Sequence, residues 1–126
     1  MKVPFSHIKK HNLLCKEKYH QALEKCLNNG NFILGDEVKL FEKEFTQYIG
    51  SKRSIGVSNC HDGLELILRT SNIGKGDEVI LPSNTFIATW LSILNVGATP
   101  IPVEPNLETY NINPKAIQEN ISSKTK

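Results

Sequence analysis

The feature that most restricts the possible folds is a regular alternation of short apolar runs with longer amphipathic stretches after residue 53. Short runs of this kind predict strands, and stretches with apolar residues three and four apart predict helices. The predicted order is a strand near 54–58, a helix near 62–72, a strand at Glu78–Leu81, a helix near 85–96 and a strand at Pro100–Val103. Strands separated by helices of this length predict parallel β-α-β crossovers, and therefore an α/β protein with a parallel sheet.

The first strand-to-helix turn, Val57–Leu64, passes from an apolar run through small polar residues directly into a helical pattern. Such a turn directs the free N–H groups of the helix start, and the positive end of its dipole, beyond the carboxyl end of the strand. Phosphate groups bind well at such helix starts. Many turns of this kind bind nothing, so the local pattern leaves both interpretations open.

The first half of the chain predicts two helices joined by an apolar loop. After an irregular lead, one amphipathic helix is expected from Asn12 to about Asn29. Gly30–Gly35 follows as a loop, because two glycines bracket Phe32 and two further apolar residues. The loop either covers a ligand or a partner subunit, or packs into the protein's own core; the pattern favours the core. The second helix is expected to be capped by Asp36 and to place an apolar stripe in the core: Val38, Phe41, Phe45 and Tyr48/Ile49.

Composition excludes several classes of function. Fifteen Lys and Arg residues balance 13 Asp and Glu residues to a net charge of +2, which argues against a nucleic-acid partner. The odd set Cys15, Cys26 and Cys60 has no paired spacing and predicts neither a disulfide framework nor a metal site. No apolar run has the length of a signal peptide or a membrane span, so we expect no membrane association and a cytoplasmic protein.

Cys60, His61 and Asp62 allow two chemical interpretations. A cysteine nucleophile with a histidine base is disfavoured, because neighbouring residues seldom converge and such sites combine side chains from different segments. We instead expect His61 to contribute its backbone N–H and a side-chain lid. Phe86 follows the next strand, and its ring either lies over the occupant of the first turn or packs into the core.

The last residues predict a helix without a strand to follow it. Asn113 is expected to cap this helix, which starts with Pro114 at its first position and runs from Lys115 to Ile121. A crossover helix should lead to another parallel strand, yet residues 122–126 offer nothing to pair. The sequence therefore predicts a part of a longer protein.

A series of sequence blocks resembles the N-terminal third of the DegT/DnrJ/EryC1/StrS family of pyridoxal-phosphate-dependent sugar aminotransferases. The resemblance extends in register from about Val3 to Lys126. It is carried by eight blocks, in order: Phe32–Gly35, Phe41–Phe45, Gly56–Asn59, Asp62–Leu66, Ile73–Ile80, Pro82–Thr89, Gly97–Ala98 and Tyr110–Pro114. It implies the first part of the large domain of the aspartate aminotransferase fold, called fold type I.

The resemblance also implies roles for individual residues. The cofactor phosphate would be held by the turn Cys60-His61-Asp62, chiefly through His61 and Asp62, and Phe86 would stack on the pyridine ring. Phe32 and Gly35 would border the sugar substrate and the dimer partner. The turn departs from the commoner family form, which has a hydroxyl where this chain has His61, so an imidazole could replace that hydroxyl as a phosphate donor. The Schiff-base lysine and the aspartate that pairs with the pyridinium nitrogen would lie beyond Lys126.

The implied activity of the full-length protein is transfer of an amino group from glutamate to a nucleotide-linked keto-deoxysugar, in amino-sugar biosynthesis for surface polysaccharide or glycoconjugate. The protein would act as a homodimer, and residues 1–126 alone would be inactive. Two alternatives stay open: a dehydratase or regulatory homologue of the same fold, and a non-catalytic binding or assembly module.

Overall fold

The computed structural model describes residues 3–126, which divide at Gly56 into two compact units. The first unit contains three helices: α1 (Ile8–Leu14), α2 (Lys16–Asn29) and α3 (Asp36–Ile49). The predicted start at Asn12 was wrong, because helix already begins at Ile8 and is interrupted at Cys15. Pro4 lies upstream of the helix start and therefore does not prevent helix formation over the residues that follow.

Glycines end the two longer helices of this unit. Gly30 and Gly50 adopt left-handed conformations, with φ of 63° and 68°, and their N–H groups donate to Cys26 O and Thr46 O. The predicted cap of α3 was wrong by one residue. Gly35 occupies the N-cap position, and Asp36 is the first helical residue without a side-chain capping hydrogen bond.

The apolar stripe of α3 is largely exposed, which corrects the expectation that it forms ordinary core. No residue of α3 is buried, and Phe41 is 58% exposed. Its ring stacks on Phe45 with centroids 5.6 Å apart. A stripe becomes core only where another element covers it, and amphipathic periodicity specifies the face but not the covering element.

The second unit, Val57–Lys126, contains the β-α-β arrangement that the sequence predicts. Strands β1 (Glu78–Pro82) and β2 (Thr99–Val103) pair in parallel, from Glu78 opposite Thr99 to Pro82 opposite Val103. The helices are α4 (Cys60–Thr70), α5 (Ile87–Asn95) and α6 (Pro114–Glu119).

The core of this unit lies where α5 crosses the sheet. Leu81 of β1, Ile93 of α5 and Ala98 form its buried centre, and Leu68 of α4 packs against them. Ser92 is also buried, and its hydroxyl donates to Thr89 O at 2.8 Å. This packing fixes α4 and α5 beside each other, and it thereby fixes the relative positions of their first turns.

The predicted strand near 54–58 was wrong, because no other segment of residues 3–126 forms a ladder with it. Gly56 N instead donates to the Glu42 carboxylate at 2.7 Å. An apolar run supplies strand propensity, but a strand also needs a neighbour to receive its hydrogen bonds.

The expectation that residues 122–126 have nothing to pair with was also wrong. Thr125 forms a parallel bridge with Glu78. Glu78 N donates to Lys124 O at 2.9 Å, and Lys126 N donates to Glu78 O at 3.0 Å. Successive residues of a strand direct their backbone groups to opposite sides, and Asp77 O accepts from Thr99 N. β2 therefore pairs with one side of β1, and Thr125 pairs with the other side.

The cap of α6 is confirmed. Asn113 Oδ1 accepts from Lys115 N at 3.0 Å, and Pro114 is the first helical residue. The helix ends at Glu119, two residues before the predicted end. Within residues 3–126 we find no helix with the length and apolar character that crossing a membrane requires.

Candidate functional site

The start of α4 combines a well-made cap with two free donors. Asn59 is the N-cap, and its side-chain oxygen accepts from Asp62 N at 3.0 Å, while its backbone oxygen accepts from Gly63 N at 3.2 Å. The N–H groups of Cys60 and His61 precede the first intrahelical bond and have no acceptor among the described residues. These two donors and the helix dipole make the turn a suitable site for an anion.

The Asp62 side chain stabilises this turn. Its carboxylate accepts hydrogen bonds from Ser58 Oγ and, at 3.0 Å, from Asn59 Nδ2. A carboxylate in the first turn also interacts favourably with the helix dipole. Since Asp62 N already donates to Asn59, the free donors are one residue earlier than the His61–Asp62 pair that the resemblance implies. Binding of phosphate by Asp62 stays a prediction.

The His61 imidazole is directed at α5. Its Nδ1 lies 3.1 Å from Ala88 O, and its Nε2 lies 3.3 Å from Asn95 Nδ2. A carbonyl oxygen can only accept, so Nδ1 carries the proton and Nε2 accepts from the Asn95 amide. Both ring nitrogens are therefore occupied within the protein, and only the backbone N–H of His61 is free to bind a ligand.

Glu65 and Arg69 extend this contact along α4. Glu65 Oε2 accepts from Asn95 Nδ2 at 3.0 Å, and Glu65 Oε1 lies 2.7 Å from Arg69 Nη2. The hydrogen bond from Arg69, followed by that from Asn95, lowers the pKa of the Glu65 carboxyl. The carboxylate is thus ionised at neutral pH and available to both partners.

Cys60 is exposed and unpaired, and the imidazole of the neighbouring His61 is engaged elsewhere. The two ring nitrogens of His61 thus contact α5 residues and not the Cys60 thiol. No group of three or more metal-ligating side chains that could hold an ion occurs within residues 3–126.

Phe86 occupies the N-cap position of α5 and is 78% exposed. The alternative that its ring packs into the core of the unit was therefore wrong. The turn that carries it is fixed on both sides: Ser83 N donates to Val103 O at 2.8 Å, and Asn84 Nδ2 donates to Tyr110 O at 3.1 Å. Phe86 thus presents a ring from an ordered turn after the carboxyl end of β1.

The Gly30–Gly35 segment is a loop as predicted, but its apolar side chains are exposed, with Phe32 at 66%. The favoured expectation that they pack into the protein's own core was wrong for the described residues. Gly35 itself is buried, and an added Cβ would lie 2.5 Å from Asn31 O. The backbone approach at Gly35 therefore requires glycine.

Sequence reasoning missed Asn59, Glu65 and Asn95 as residues of this site. The Asn59-x-x-Asp62 spacing resembles a capping box and could have identified the cap. No local signal connects Asn95 with His61, which lies 34 residues earlier in the chain.

Comparison with known proteins gives a consistent assignment. The sequence profile of the DegT/DnrJ/EryC1/StrS aminotransferase family matches residues 14–126. The dTDP-3-amino-3,6-dideoxy-alpha-D-galactopyranose transaminase of Aneurinibacillus thermoaerophilus is 48% identical over 124 residues, covering 98% of this chain and 34% of that protein. The chain spans about a third of the length of the curated relatives it matches.

Solved structures of such enzymes superpose on nearly the whole chain. The S. venezuelae DesV structure has a TM-score of 0.94 at 38% identity, covering 99% of this chain and 34% of that one. NtdA from Bacillus subtilis, solved with bound cofactor PMP, has a TM-score of 0.83 at 32% identity, covering 99% and 29%. The α/β architecture is thus that of fold type I aminotransferases, and the chain belongs to the DegT/DnrJ/EryC1/StrS aminotransferase family.

Proposed function

We propose that residues 1–126 are the N-terminal segment and first part of the cofactor-binding large domain of a sugar aminotransferase. The complete enzyme transfers an amino group from glutamate to a nucleotide-linked keto-deoxysugar, with pyridoxal 5′-phosphate as cofactor. The observation that carries this proposal is the 48% identity, over 98% of the chain, to a protein named as a dTDP-amino-sugar transaminase.

The start of α4 fits the phosphate of this cofactor. Cys60 N–H and His61 N–H are free donors at a helix N-terminus, where backbone donors and dipole both favour an anion. The hydrogen bonds between Asn59 and Asp62 stabilise the conformation of this turn. The Asp62 carboxylate accepts hydrogen bonds from Ser58 and Asn59, so it orients the turn whose backbone donors face the phosphate.

Phe86 fits the role of covering the pyridine ring. Its side chain is exposed at the start of α5, and an exposed aromatic face can stack on a planar ring and keep water from it. The hydrogen bonds of Ser83 and Asn84 hold the backbone of its turn in place. Phe86 therefore orients the ring while the start of α4 anchors the phosphate.

The chemistry that pyridoxal phosphate supplies when bound is storage of the amino group and of electrons during its transfer. The lysine that attaches the cofactor, and the aspartate that pairs with its ring nitrogen, lie beyond Lys126 in this proposal. Residues 1–126 alone would therefore be inactive as a catalyst.

The loop residues Phe32, which is exposed, and Gly35, which is buried, are assigned to the border of the sugar site and of a partner subunit in a homodimer. Phe32, Ile33 and Leu34 are consecutive and all exposed, and a contiguous apolar patch commonly marks a surface that a ligand or a partner covers. The three free cysteines agree with a cytoplasmic location, where thiols stay reduced.

The test is an absorbance spectrum of the full-length protein after addition of pyridoxal phosphate and removal of the unbound excess. A retained band near the edge of the visible range that bleaches with glutamate is expected. Transfer to nucleotide-linked keto-sugars, followed by product mass, then identifies the acceptor. A retained cofactor without response to glutamate would contradict amino transfer, and failure to retain any cofactor would contradict the assigned cofactor as well.

A further inference from the structure

We propose that the His61 side chain is a positioning residue, which holds the start of α5, and with it Phe86, in place against the phosphate-binding start of α4. This inference rests on the proposed function. It assigns the two chemical parts of His61 to different tasks: the backbone N–H faces the anion, and the imidazole fixes the neighbouring helix.

Both ring nitrogens of the His61 imidazole form hydrogen bonds within the protein. Nδ1–H donates to Ala88 O at 3.1 Å, and Nε2 accepts from Asn95 Nδ2 at 3.3 Å. The side chain is only 27% exposed. An imidazole used as a phosphate donor would have to abandon one of these partners, and Ala88 O or the Asn95 amide would then lose a hydrogen bond.

The two hydrogen-bond partners of the imidazole lie at opposite ends of α5. Ala88 is the second residue of this helix and lies two residues after Phe86, whereas Asn95 is its last residue. The imidazole therefore contacts both the first and the last turn of α5. His61 is itself the second residue of α4, so a single side chain joins the two helix starts to which cofactor phosphate and ring are assigned.

Other side chains hold Asn95, one of the two partners of the imidazole, in place. Asn95 Nδ2 also donates to Glu65 Oε2 at 3.0 Å, and Arg69 Nη2 lies 3.4 Å from Asn95 O. His61, Glu65 and Arg69 are spaced four residues apart and therefore line the same face of α4. Asn95 thus has a defined orientation, which is what an acceptor such as His61 Nε2 requires.

The experiment is a double-mutant cycle on the full-length protein, with the Kd of pyridoxal phosphate as the readout. His61→Ala should weaken binding about tenfold, the size expected when a partly buried hydrogen-bonding partner is removed. In a Phe86→Ala background the same change should weaken binding less than about twofold, because its effect passes through Phe86. Equal effects of His61→Ala in both backgrounds would overturn the proposal, since a direct phosphate contact would be independent of the ring.

A pair of isosteres tests the same point if His61→Ala folds poorly. Asn places its amide near the position of Nδ1 and can still donate to Ala88 O, whereas Gln reaches toward the position of Nε2 and loses that bond. His61→Asn should therefore bind the cofactor within about threefold of the wild-type protein, and His61→Gln should resemble His61→Ala. The reverse order would overturn the proposal. His20→Asn, on the exposed surface of α2, is the matched control for replacing an imidazole.

These outcomes separate the two proposals. A wild-type full-length protein that does not bind pyridoxal phosphate would overturn the proposed function. A wild-type protein that binds it, with effects of His61→Ala and Phe86→Ala that simply add, would overturn only the role of the imidazole.

Discussion

The two units of the chain use similar apolar content in different ways. In the second unit a sheet and a covering helix enclose Leu81 and Ile93, each 2% exposed. In the first unit, as far as the structure describes it, α1, α2 and α3 contain no buried residue. An apolar face produces a core only when another element closes over it, and the β-α-β unit supplies that element from adjacent sequence.

The largest expected effect is the loss of stability when a side chain is removed from the core of the second unit. Leu81→Ala should lower the free energy of unfolding by about 2–5 kcal/mol, because it removes a buried side chain and leaves a cavity in a packed core. Denaturant unfolding of the full-length protein measures it. Leu23→Ala, at a residue of α2 that is 57% exposed, is the control and should cost less than about 1 kcal/mol. A comparable loss at Leu23 would show that the complete protein buries the face of the first unit.

A smaller effect is expected at the helix cap that shapes the anion site. Asn59→Ala removes the acceptor of Asp62 N and should lower the free energy of unfolding by about 1 kcal/mol. The same variant should also weaken binding of pyridoxal phosphate, since the free donors belong to the turn that Asn59 orders.

Two controls separate these effects of Asn59. Asn59→Ser keeps a side-chain acceptor and should restore most of both losses. Asn113→Ala removes the equivalent cap of α6 and should affect stability without affecting the cofactor. Equal weakening of cofactor binding by both cap variants would show that the loss reflects stability alone.

The smallest effect concerns pH. Arg69 and Asn95 lower the pKa of the Glu65 carboxyl in the folded protein. A lowered folded pKa gives a contribution that is fully present above the unfolded pKa of about 4.3 and is lost as the pH falls through the folded value. Unfolding measured between neutral and acidic pH should thus show a small loss of stability in the acid range. Glu65→Gln should reduce that loss, and an unchanged pH dependence would contradict this role of Glu65.

The sequence predicts the second unit better than the first for a physical reason. The periodicities around Glu78–Leu81 and 85–96 locate β1 and α5 because propensity, pattern and packing agree there. Near 54–58 the pattern alone predicts a strand, yet strand formation depends on a partner that local sequence does not specify. The apolar stripe of α3 fails as a core prediction for the same reason.

In the candidate site, too, some features follow from adjacent residues, and others depend on residues that are distant in the chain. Small polar residues between an apolar run and a helix mark the turn Cys60–Asp62 as a candidate anion site, and the resemblance assigns it to the cofactor phosphate, which stays a prediction. The sequence does not predict which N–H groups of the turn are free donors, because this depends on the capping hydrogen bonds of Asn59. The direction of the His61 ring depends on Ala88 and Asn95, which only the folding of α5 against α4 brings near.

The proposed function depends on binding of the cofactor phosphate by the backbone N–H groups of Cys60 and His61. Cys60→Pro tests it most directly, because proline is favoured at the first position of a helix and removes only the N–H donor there. The preceding residue, Asn59, has φ −162° and ψ 173°, an extended conformation that a following proline accepts.

The measurement is the Kd of pyridoxal phosphate for full-length Cys60→Pro and for Cys60→Ser, which keeps the N–H. We expect Cys60→Pro to bind the cofactor about tenfold or more weakly than Cys60→Ser at unchanged thermal stability, as expected for loss of one hydrogen bond to a charged group. Equal affinity of the two variants would contradict the claim that this backbone donor binds the phosphate.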